Sequence, residues 1–107
     1  MVKLMDIDEF LNYLSNATKE NFKKTKHFEI RIELREDNIP NEEELFEILT
    51  KNKPVGILKQ KDDKFFKVYY EFDEKHDVVV VMSIKSIEPL QINLITIFPQ
   101  DRKRREK

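Results

Sequence analysis

The chain has no cysteine, a single glycine and only two histidines among its 107 residues. Without cysteine there is no disulfide framework, no thiolate nucleophile and no Cys-based zinc site. His27 and His76 alone do not make a histidine-rich metal centre, so neither a metal nor another cofactor is expected. Chemistry, if there is any, falls to His, carboxylates, Arg, Lys and Tyr. Long apolar runs are also missing. The stretch at 78–82 is far too short to cross a bilayer, and the N-terminus lacks the cationic-then-apolar pattern of a signal peptide. These absences predict a soluble, cytoplasmic protein with no membrane partner. An excess of one charge is lacking too: 38% of residues are charged, yet the formal net charge is -1. Net charge therefore gives no pull towards nucleic acid.

What is present is unevenly placed. Basic residues gather at 19–26 and 102–107, and acidic ones at 42–47. High Lys and Glu with one glycine suits a heat-adapted source, and an AT-rich genome gives the same bias. The length fits one domain, 1–107, able to bury a core without metal or disulfide staples.

Asp6 or Asp8 can cap a first helix in which Ile7, Phe10, Leu11 and Leu14 share a face, ending near Ser15 and Asn16. Residues 17–25 are polar and Lys-rich, and they either extend that helix or form a loop. Asn41 followed by Glu42, Glu43 and Glu44 predicts another helix start, with Leu45, Ile48 and Leu49 as its apolar face and the Lys-Asn-Lys-Pro at 51–54 as its end. Beyond Pro54 come four β-rich runs, VGILKQK, FFKVYYEF, VVVVMSI and LQINLITIF, joined by short polar connections that imply an antiparallel meander. Phe66, Val68, Tyr70 and Phe72 fall on one face of their strand, and Lys67, Tyr69 and Glu71 on the other. Helices are expected to cover one sheet face and leave the other partly free, with Pro99 ending the sheet.

The stretch HFEIRIELREDNIPNEEELFEIL, residues 27–49, carries the one pattern that goes beyond core formation. His27, Arg31 and Arg35 recur every four residues. On a helix they lie along one face, drifting about 40° per step. Taken alone, residues 27–35 also alternate like a half-buried strand. As a helix, with Thr25 as cap, the segment has two opposed apolar patches, Phe28 with Ile32 and Ile30 with Leu34, and suits packing on both sides.

HFEIRIELREDNIPNEEELFEIL, then VGILKQKDDKFFKVYYEF, then INLITIFP with a basic tail, resembles the small domains allied to BrnT and RelE toxins. These include a related family with a His-x-x-x-Arg-x-x-x-Arg signature before an Ile-containing turn, here His27, Arg31, Arg35 and Ile39. The resemblance spans roughly residues 25 to 105. It implies an α+β fold, N-terminal helices packed on a C-terminal four-stranded antiparallel sheet, and so a helix over 26–36. It also implies an RNA-binding, toxin-type domain, a metal-independent ribonuclease acting on RNA such as ribosome-associated mRNA and restrained by a cognate antitoxin.

RNA cleavage without metal needs a base near the 2′-hydroxyl, an acid for the leaving oxygen and cations on the phosphate. His27 suits the acid or base, Arg31 and Arg35 the phosphate fork, and the five arginines of the chain fall only in this segment and the tail. Tyr69 is a candidate for stacking on a base and Glu71 for a second base. Lys59, Lys61 and Lys67, with Arg102, Arg104 and Arg105 of the tail, are the candidate RNA contacts. Each has a plainer reading: a solvated helix face paired with Glu29, Glu33 or Glu36, ordinary β surface, and a disordered terminus. His76 reads as a turn residue beside Asp77. The alternative functions are a non-catalytic interaction module, pairing through a sheet face or strand edge, and a nucleic-acid-binding module without chemistry.

Overall fold

The computed structural model describes residues 6–34, 39–59 and 65–101. Helix α1, Ile7–Asn16, begins where the Asp6 carboxylate accepts the N–H of Glu9 at 2.8 Å, satisfying one orphan donor of the first turn. Its Phe10 and Leu14 point into the core. Helix α3, Glu42–Lys51, starts on a reciprocal capping box: Asn41 accepts the N–H of Glu44, whose carboxylate reaches back to the N–H of Asn41. Leu45, Phe46 and Leu49 are its buried face. Between them lie a 3-10 turn at Lys19–Asn21, strand β1 at Phe22–Lys24 and helix α2 at Lys26–Glu33. Strands β2, Gly56–Lys59, β3, Phe66–Glu71, β4, His76–Ile87, and β5, Leu90–Asp101, follow.

The architecture is α+β: among the described residues there are three α-helices and a mixed sheet of five strands in the order β1-β5-β4-β3-β2. This corrects the expectation of a four-stranded antiparallel sheet. The extra strand comes from the Lys-rich segment expected to be loop or helix. There β1 pairs parallel with β5, Phe22 opposite Ile92 and Lys24 opposite Leu94. Asn21 ties the preceding turn down by donating to the carbonyl of Leu90 at 3.0 Å. Three residues with one apolar side chain carry no readable alternation. The strand exists because β5 offers an edge for it.

The helix expected over 26–36 is present as α2 over Lys26–Glu33, and residues 35 and 36 lie outside the described residues. Pro99 does not end the sheet. It sits within β5 opposite Val78, past the end of β1, where among the described residues no strand needs the N–H it lacks.

The core lies between the helices and one sheet face. Phe10 stacks on Phe66 with ring centroids 4.0 Å apart and planes 7° off parallel. Val68, Tyr70, Val78, Val80, Met82, Ile92, Leu94 and Ile97 complete the sheet side. In β5 the inward positions skip from Leu94 to Ile97. The pairing shifts there: Val81 faces Thr96 and Met82 faces Leu94, leaving Ile95 as an extra residue. That bulge reverses the alternation and bends the strand where α2 meets it.

Candidate functional site

Helix α2 is held against the edge of β5 by its first turn. Thr25 caps it, its hydroxyl accepting the N–H of Phe28 at 3.3 Å. The Thr25 N–H and hydroxyl also reach the carbonyl of Leu94, at 3.1 and 2.9 Å. One residue therefore ends β1, starts α2 and fastens both to the bulged part of β5. Further along, the Nε of Arg31 donates to the carbonyl of Ile97 at 3.1 Å. Where β1 has run out, an arginine supplies a donor that a strand would have given. Arg31 is half-buried and works as an anchor. His27 is exposed, with Nε2 3.2 Å from the Thr96 hydroxyl. Arg35, third in the cofacial row, lies outside the described residues, as do Lys61, Arg102, Arg104 and Arg105.

On the sheet face away from the core, side chains stand in rows because directly opposed residues share a face. Thr96, Val81, Lys67 and Leu58 form one row; Phe98, Val79, Tyr69 and Gly56 the next; Gln100, Asp77 and Glu71 the third. His27 joins the first row through Thr96. Lys67 shares that row two strands away, roughly 10 Å on. Glu71 is two strands and two rows from Thr96, roughly 16 Å on the same spacings. An acid and a base acting on one phosphate must each come within hydrogen-bond reach or one water of it. His27 and Glu71 do not meet that condition.

Three further expectations are corrected by the register and burial. Lys59 opposes Phe66, a core residue, so it belongs to the helix-covered face and not with Lys67. Tyr69 is 0% exposed, which leaves no ring face for a base to stack on. The face expected to be partly free is closed at its middle, since Asp77 and Val79 beside Tyr69 are buried as well. Glu71 is exposed and lines an open groove of about 260 Å³ with Glu44, Glu47, Ile48, Lys51, Asn52 and Phe72. Carboxylates dominate that groove, and they repel a phosphate rather than receive it.

Two features escaped the sequence reading. Asp77 is, among the described residues, the one buried charged side chain. Alternation counted back from Val81 and Val79 reaches it, whereas the reading placed it in a turn with His76. That turn is built by Asp73, whose carboxylate accepts the N–H groups of Lys75 and His76 at 2.8 and 2.7 Å and sits 3.1 Å from the His76 ring. The Lys75 N–H first, and then the N–H and ring of His76, hold the Asp73 carboxyl below its ordinary range. The second feature is the outer side of α2. Phe28 and Ile32 pack inward as expected, but Ile30 and Leu34 are 47% and 61% exposed. Among the described residues, nothing packs on the outer side of the helix, so the expected packing on both sides is not seen there. Among the described residues there is no cluster of His, Cys, Asp and Glu suited to a metal, and no helix long and apolar enough to cross a membrane.

Comparison with known proteins gives two matches. The model of the MJ0788 family matches residues 8–82, from α1 to just past the middle of β4. A protein of Methanocaldococcus jannaschii described as "Uncharacterized protein MJ0788" is 97% identical over 67 residues, covering 63% of this chain and 85% of that protein. Neither description carries a toxin, BrnT or RelE name. No solved structure matches.

Proposed function

This chain belongs to the MJ0788 family, and we propose that it works as a non-catalytic protein-interaction module that presents the outer side of α2 to a partner. The observation that carries this reading is the outward pair Ile30 and Leu34, on a helix whose other apolar side already fills the core. Scattered exposed apolar residues are ordinary on a protein surface. Two of them one turn apart, on an edge helix otherwise edged with charge, form a patch. The groups a ribonuclease would need are spread over the sheet, Tyr69 is buried, and Arg31 is bonded to the carbonyl of Ile97.

A second reading keeps the toxin-type expectation of RNA binding. It is favoured by one observation, the exposed His27 beside the Thr96 hydroxyl, in the same row as Lys67. Incubating the purified chain with labelled RNA separates the two. The interaction reading expects no cleavage and no tight binding at physiological salt. Cutting that is lost in His27→Ala, or binding that falls steeply with salt, would overturn it in favour of the second.

A further inference from the structure

We draw no further inference here: the strongest candidate, the open patch on the sheet face away from the core where Lys23, His27 and Lys67 stand around Asn93, Thr96 and Val81, is a surface for which nothing in the structure shows what covers it.

Discussion

Removing one oxygen from the core should stabilise this protein. Tyr70 is 0% exposed on the helix-covered face of β3, and among the described residues its hydroxyl has no hydrogen-bond partner. A buried hydroxyl without a partner costs about 1–3 kcal/mol, since water has been given up and nothing replaces it. Phenylalanine keeps the ring and its packing. Tyr70→Phe should therefore gain about 1–2 kcal/mol, or about 4–8 °C in Tm per kcal/mol for a domain of this size. The same burial pushes the phenol well above its ordinary value of 10.0. The consequence for pH has a definite sign. Above about pH 10 the unfolded chain releases this proton while the folded chain retains it. The unfolded state then binds fewer protons, and stability falls as pH rises. The slope is about 1.4 kcal/mol per pH unit, until the folded-state value is reached. Tyr70→Phe lacks that contribution, whereas lysine titration is common to both proteins. Urea denaturation of the two proteins at pH 7, 9 and above 10 tests both parts. The variant should lead at neutral pH, and its lead should widen above pH 10. A variant less stable than wild type at pH 7, or a gap that stays flat above pH 10, would refute the account of an unsatisfied, proton-retaining tyrosine.

Phe10→Ala and Phe66→Ala should each cost about 3–5 kcal/mol in denaturation experiments, and the stacked pair should give a coupling of about 0.5–1.5 kcal/mol in a double-mutant cycle; fully additive losses would contradict the stacking seen between these rings. Arg31→Met should lose about 1 kcal/mol or more, through the Ile97 carbonyl it leaves without its donor, whereas His27→Ala, at an exposed position, should stay within about 0.5 kcal/mol; equal and negligible effects would mean that Arg31 does not anchor α2. Asp73 contributes stability above its ordinary value of 3.8, and that contribution is lost as pH falls through its lowered folded-state value. Asp73→Asn should therefore flatten the acid limb of the stability curve, and an unchanged limb would remove the Asp73 turn as its source.

The elements that could be read in advance were those whose signals are local. The caps at Asp6, Thr25 and Asn41 announce three helices because a side-chain oxygen and the next turn of backbone lie within a few residues of each other. The inward set Phe66, Val68 and Tyr70 follows from strict alternation over a short strand. Strand β1 was not legible, because it depends on an edge more than 65 positions away in the chain. The bulge at Ile95 was not legible either, since a register shift leaves no compositional mark, and it moved Ile97 into the core. For the candidate site, the pattern of residues 27–35 identified α2 as unusual and placed His27 and Arg31 correctly along one side of it. It could not tell that Arg31 would meet a backbone carbonyl. The clustering of Tyr69 and Glu71 with His27 failed because sharing a sheet face is not proximity when two strands and one or two rows lie between.

The position of α2 also explains the feature that made its sequence ambiguous. Strand β1 covers β5 only from Ile92 to Leu94, and an open strand edge beyond that point is a liability. Helix α2 covers it instead, with Thr25 and Arg31 supplying donors to β5 carbonyls. A helix set on an edge has one side against the body and the other directed away from it. Covering the edge requires only the inward pair, Phe28 and Ile32. Polar residues at positions 30 and 34 would leave every one of those contacts in place. The alternation that imitates a strand is therefore two separate demands at helical spacing, one met within the fold and one directed outward. The outward demand is what a partner would satisfy, and so the strand-like pattern of residues 28–34 points to association.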